Sequence, residues 1–161
     1  MKIVKVGIAD WKVASNGHII RTSGLGSCVG VTLYDSKRKT GGMAHIMLPE
    51  SPSGKKHYKR AKYADTGIYD MVVELETKMS CSRNNLIAKI AGGAQMFEFS
   101  GGSEMLKIGH RNAMAVEEIL KDYGIRIAAK DVGGNYGRTI DLFCETGKLV
   151  IKSVKRETKE V

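Results

Sequence analysis

Short alternating or β-branched runs open the chain. Residues 2–8 and 17–23 put apolar side chains on one side of an extended backbone and are bounded by Gly and Asn, which predicts two strands. VGVTLYD at 29–35 and GMAHIMLP at 42–49 also read as strands, and the polar DSKRKT between them supplies a turn, so the pair predicts a hairpin. From Ala64 onward, Ala64, Ile68, Met71, Val72, Leu75 and Met79 recur every three or four positions, the period of a helix with one buried face. A strand follows at Leu86 to Ile90, then the glycine-rich AGGAQMF. A second helix is expected from about Asn112 to Tyr123, stopped by Gly124. The remainder predicts strands at 125–130, 138–144 and 149–154, the last two joined by ETGK, and a frayed end at about 155–161. With no repeat, linker or low-complexity stretch, residues 1–161 read as a single domain of α/β or α+β layers, helices covering one face of mixed sheet.

The 42% apolar content suffices for one core. MKIVKVGIAD alternates where a signal peptide would be continuously apolar, and the least polar stretch, LIAKIAGGAQMF, is broken by Lys89 and far shorter than the roughly 20 residues a bilayer requires. The expectation is a cytoplasmic protein with no membrane insertion. Cys28, Cys81 and Cys144 are odd in number and widely spaced, which suggests reduced thiols and argues against disulfides or structural zinc. The formal charge of +9 is densest in GKKHYKRAKY, with Lys55, Lys56, Lys59, Arg60 and Lys62. Such a patch attracts nucleic acid, anionic surfaces or acidic proteins alike. A nucleic-acid role lacks the interleaved aromatics that stacking requires, since the chain holds six Tyr, three Phe and one Trp.

A catalytic thiol needs access, a base and donors for an oxyanion. Cys28 directly follows SGLGS, where Gly24 and Gly26 permit a sharp turn with uncovered amides, and the Gly26–Ser27 backbone is the candidate oxyanion site. Cys81 follows a helix and Cys144 sits in a strand beside a polar turn, so neither is comparably placed. If residues 36–39 form the hairpin loop, Asp35 opposes Thr40 and Gly30 opposes His45, which puts Cys28 and His45 on one face as diagonal neighbours. A slip of one residue would separate them. An adjacent imidazole can turn the thiol into a thiolate near neutral pH, protonate a departing amine and then activate water. Thr22 offers a hydroxyl to orient His45. Each residue alone reads as ordinary packing, and only the combination points to a cysteine hydrolase. GLGSCVG imitates a dinucleotide fingerprint, but Val29 stands where the third glycine belongs and a strand follows where a helix is needed. His18, His57 and His110 show no metal-ligand spacing, so neither metal nor cofactor is expected.

TSGLGSCVGV at 22–31, MAHIMLP at 43–49, AKYAD at 61–65, AKIAGGAQMF at 88–97, IGHRN at 108–112 and DVGGNYGRT at 131–139 together resemble the chemoreceptor glutamine deamidases, the CheD family. The resemblance implies an α/β layered sandwich related to that of deamidating bacterial toxins. It implies a protein-glutamine glutaminase in which Cys28 is the nucleophile, His45 its partner and Thr22 the third member of a triad. The implied reaction converts glutamines on the cytoplasmic helices of chemotaxis receptors to glutamate through a thioester, and the same chemistry serves for glutamyl methyl esters. It further implies a CheC-type phosphatase as partner, and the competing reading is a binding module for that phosphatase in which Cys28 is dispensable. Lys55, Lys56 and Lys59, just past the His45 strand, are the candidate docking residues for acidic receptor helices. Two positions depart from the family pattern, His110 where a small residue or proline is usual and Val132 in place of threonine, and neither belongs to the triad.

Overall fold

The computed structural model describes residues 1–96, 107–153 and 156–161, for 156 and 157 the backbone only. Phe97, which ends the AKIAGGAQMF segment, and Val154, which ends an expected strand, lie outside the described residues. The described elements are β1 (Lys2–Lys5), β2 (Trp11–Ser15), β3 (His18–Leu25), β4 (Val29–Asp35), β5 (Thr40–Ile46), α1 (Ala64–Thr77), β6 (Leu86–Gly92), α2 (Ile108–Asp122), β7 (Arg126–Val132), β8 (Arg138–Phe143), β9 (Leu149–Ser153) and β10 (Arg156–Glu160).

The strands form two five-stranded mixed sheets, one in the order β1-β3-β8-β9-β10 and the other β2-β5-β4-β6-β7. In the first, β1 runs parallel to β3; in the second, β6 runs parallel to β7; the other pairings are antiparallel. Alternation along β4 and β5 explains the layering. Val29, Val31, Leu33, Ala44 and Ile46 point one way and pack under Ile68, Met71, Val72 and Leu75 of α1 and Ala113, Val116 and Leu120 of α2. Met43 points the other way, into a second core with Ile20, Leu25, Ile140 and Leu142 of the first sheet. The molecule is therefore helices, sheet, sheet, with β4 and β5 buried on both faces. This is the α/β layered sandwich expected, with helices on one face.

Three details differ from the sequence reading. The strand β2 was not expected; it is an edge strand that pairs with β5 from Trp11↔Ala44 to Ser15↔Thr40. The helix α2 begins four residues earlier than Asn112, without a side-chain cap at Lys107. The end expected to fray instead holds β10, laid antiparallel on β9, and Val161 exchanges both main-chain hydrogen bonds with Leu149 at 2.8 and 2.9 Å.

Candidate active site

The β4–β5 hairpin has the register that the turn length dictates, from Asp35↔Thr40 through Gly30↔His45 to Val29↔Ile46. Asp35 closes the turn by accepting hydrogen bonds from the Lys37 and Arg38 amides at 2.9 and 3.3 Å. Gly30 faces the first sheet, because a Cβ there would stand 2.5 Å from Ile140 Cδ1 and 3.0 Å from Leu25 Cδ1. Cys28, two residues before Gly30, and His45, directly opposite it, share that inward face. Thr22 enters the same space from β3 of the opposing sheet. Thr22 and His45 thus meet between the layers, and Cys28 packs against the same inter-sheet core.

His45 is fully buried, and its Nδ1 lies 2.7 Å from Thr22 Oγ1. The tautomer follows from counting hydrogens. Thr22 has one hydroxyl hydrogen, and the Val6 carbonyl at 2.8 Å can only accept it. Thr22 Oγ1 must then accept from His45, which places the imidazole hydrogen on Nδ1 and the lone pair on Nε2. Nε2 has no hydrogen-bond partner among the described residues. A basic nitrogen is thereby left bare on the face it shares with Cys28.

Burial pushes the Cys28 thiol above its ordinary value and lowers His45 from 6.5 to about 4. The resting pair is accordingly a neutral thiol beside a neutral imidazole. Burial between the layers disfavours both charges and so works against the thiolate expected near neutral pH.

The loop carrying Cys28 is held by its carbonyls. Gly26 O accepts from Ala94 N at 2.9 Å, Ser27 O from Asn112 Nδ2 at 3.0 Å and Cys28 O from Gly93 N at 2.8 Å. The Gly26 N–H donates to Gly24 O at 3.1 Å, so Gly26 is occupied, whereas the Ser27 and Cys28 amides donate to no other described residue. Of the Gly26–Ser27 pair expected, the Gly26 amide is engaged and the Ser27 amide is open, with the Cys28 amide open beside it among the described residues. Gly24, at φ +72°, lies inside β3 where its pairing with β8 shifts register between Thr22 and Leu25.

DVGGNYGRT has its place in this scaffold. The Arg138 side chain, 1% exposed, donates to Asp131 Oδ2 at 3.1 Å, Gly133 O at 2.9 Å and Gly92 O at 3.4 Å and stacks on Tyr136. It fixes the Gly92–Gly93 corner on which Cys28 rests. At Gly92, with φ +112°, a Cβ would overlap the Cys28 carbonyl oxygen. Asn112, absent from the site residues inferred from sequence, is the polar member of α2's buried stripe.

Lys55, Lys56 and Lys59 are exposed on the segment that leaves β5 after His45 and returns where Lys62 O accepts from Met47 and Leu48 at 2.9 and 3.1 Å. Cys81 and Cys144 are buried, each with its thiol pushed up to about 11 by desolvation. Among the described residues no group of three or more His, Cys, Asp or Glu is arranged to hold a metal ion, and no helix is long and apolar enough to cross a membrane. A cleft of about 370 Å³ is lined by Lys5, Val6, Gly7, Arg21, Thr22 and Ser23.

Comparison with known proteins gives consistent matches. The family model described as CheD chemotactic sensory transduction matches residues 47–153. The chemoreceptor glutamine deamidase CheD of Halalkalibacterium halodurans is 51% identical over 160 residues, covering 99% of this chain and 98% of that protein. Probable chemoreceptor glutamine deamidases of Syntrophomonas wolfei and Archaeoglobus fulgidus are 49% and 46% identical, covering 95% and 92% of this chain and 94% and 92% of their own lengths. Among solved structures, the Bacillus licheniformis hypothetical protein YfiH matches 76% of this chain and 49% of its own at 14% identity and a TM-score of 0.49, too remote to bear on function.

Proposed function

This chain belongs to the CheD family of chemoreceptor glutamine deamidases, and on that premise we propose that Cys28, His45 and Thr22 carry out the deamidation. The observation that supports this most is the Thr22–His45 contact of 2.7 Å, which with the Val6 carbonyl leaves His45 Nε2 basic and without a partner among the described residues.

The reaction runs as an acyl transfer. His45 Nε2 takes the thiol proton as Cys28 Sγ bonds to the carboxamide carbon of a receptor glutamine, and the oxygen becomes an oxyanion facing the Ser27 and Cys28 amides. The imidazolium gives its proton to the nitrogen, the C–N bond breaks, and ammonia leaves a glutamyl thioester on Cys28. His45 then removes a proton from water, hydroxide adds to the thioester, the C–S bond breaks, and the thiolate recovers the proton as glutamate departs. No external oxidant or cofactor enters. A glutamyl methyl ester follows the same path with methanol as leaving group.

The substrate segment is an acidic, helical part of a receptor, and Lys55, Lys56 and Lys59 dock it beside the triad. The proposed compartment is the cytoplasm, a reading supported by the receptor substrates of the family and by three unpaired cysteines among the described residues. A CheC-type phosphatase is the proposed regulatory partner, supported by the family resemblance.

The test incubates the wild-type chain, Cys28→Ala and His45→Ala with a purified chemoreceptor cytoplasmic fragment and follows ammonia and peptide mass. Glutamine-to-glutamate conversion at defined sites, abolished by both substitutions, is the expected result. Conversion that survives Cys28→Ala would overturn the assignment of the nucleophile.

A further inference from the structure

Asn112 lies on the stripe Gly109, Asn112, Ala113, Val116 and Leu120 that α2 turns inward, and it is fully buried. An apolar residue would meet a packing need there without leaving an amide oxygen unsatisfied, yet Asn112 Oδ1 has no partner among the described residues. Its Nδ2, in contrast, uses both hydrogens on main chain, donating to Ser27 O at 3.0 Å and Met47 O at 2.8 Å. These carbonyls belong to the residue just before Cys28 and the residue two after His45. One side chain ties the nucleophile's loop to the end of the base's strand.

The consequence comes from peptide geometry. A trans peptide is planar, with its C=O and the following N–H directed oppositely, and the chain has no cis peptide among the described residues. Holding the Ser27 carbonyl fixes the direction of the Cys28 N–H, away from Asn112. The Ala94 amide does the same through Gly26 O for the Ser27 N–H. The donors form one wall, since α2 abuts residues 93–94 so closely that a Cβ on Gly109 would overlap the Ala94 carbonyl oxygen. Carbonyls face the wall and the two free amides face away from it.

We propose that Asn112 is a positioning residue that aims the Cys28 N–H at the oxyanion formed during deamidation. The proposal rests on Cys28 being the nucleophile. It assigns Asn112 no contact with substrate.

The test compares wild type, Asn112→Leu and Asn112→Asp, all full length, in ammonia release from the receptor fragment and in alkylation of Cys28 by iodoacetamide. Alkylation needs the thiol and His45 but no oxyanion donor. The expected result is a kcat lower by about 10²-fold, the usual effect of losing one oxyanion donor, with KM and the alkylation rate within about twofold of wild type. A kcat within threefold of wild type, or an alkylation rate that falls in parallel with kcat, overturns the proposal. A measurement on wild type alone covers variants that do not fold. A peptide ending in the aldehyde analogue of glutamine adds to Cys28 as a hemithioacetal, and the Cys28 amide proton should then move downfield in NMR; an unmoved resonance overturns the proposal. The adduct needs no turnover. A wrong deamidase reading would show separately, as a wild type that forms the adduct and releases no ammonia.

Discussion

Lowering the pH should destabilise this protein through a single imidazole, and the size of the effect follows from where that imidazole sits. His45 is fully buried between the sheets, and burial lowers it from 6.5 to about 4. A chain that unfolds at pH 5 therefore takes up a proton that the folded chain refuses, so stability is complete above about 6.5 and is lost as pH falls toward 4. At roughly 1.4 kcal/mol per unit, the gap amounts to about 3 kcal/mol. The perturbation that isolates it is His45→Asn, which keeps a polar side chain and removes the titration. Urea unfolding of both proteins at pH 7 and at pH 4.5 should show the wild type losing about 2–3 kcal/mol more than the variant. The same titration sets the acid limb of kcat/KM near pH 4, because only the neutral imidazole accepts the thiol proton. Parallel pH dependence in the two proteins, or an imidazole that titrates near 6.5 by NMR, would refute the neutral resting pair.

Four other outcomes are expected. Thr22→Val should lower kcat on the order of 10²-fold by freeing the imidazole to take the other tautomer, whereas Thr22→Ser should retain most activity; equal losses in the two would remove the hydroxyl from the mechanism. Gly92→Ala should cost about 1–3 kcal/mol in urea unfolding and depress turnover, since φ +112° and the Cys28 carbonyl both resist a Cβ, and a variant of wild-type stability would contradict that packing. Arg138→Met should cost about 3 kcal/mol by leaving Asp131 and two carbonyls short of a buried donor, measured by the urea midpoint. Reversing Lys55, Lys56 and Lys59 to Glu should raise KM on the order of tenfold at low salt with kcat unchanged, and unaltered kinetics would reject the docking role.

The hairpin was legible because a four-residue turn opened by Asp35 admits one register, and that register alone brings Cys28 and His45 to one face. The helix α1 was legible from its apolar stripe, and α2 from its stop at Gly124. β2 and β10 were not, for different reasons. In WKVAS at the sheet edge only Ala14 is buried, so no alternation stands out. RETKE is polar throughout, and its ladder with β9 is made by main chain, which side-chain patterning does not encode. The start of α2 was hidden because Lys107 makes no side-chain cap and Gly109, a helix breaker by propensity, is there for close approach to residues 93–94. The neutral state of the pair depends on desolvation by a sheet whose position no local pattern gives. Asn112 left a faint signal, a polar residue on an otherwise apolar helical face at the spacing of Gly109 and Val116.

Thr22, Cys28 and His45 all lie within the first 45 residues, but β3, which carries Thr22, has as its neighbours β1 and β8, Arg138–Phe143. During synthesis the hairpin and the β1–β3 pair can form early, while the other edge of β3 waits for β8, made more than a hundred residues later. A nascent chain thus carries all three proposed catalytic residues long before the sheet that holds Thr22 against His45 is complete. Truncation after β7 would remove none of the three proposed catalytic residues and is still expected to yield an inactive chain, which makes the far end of the polypeptide the step that licenses the near end.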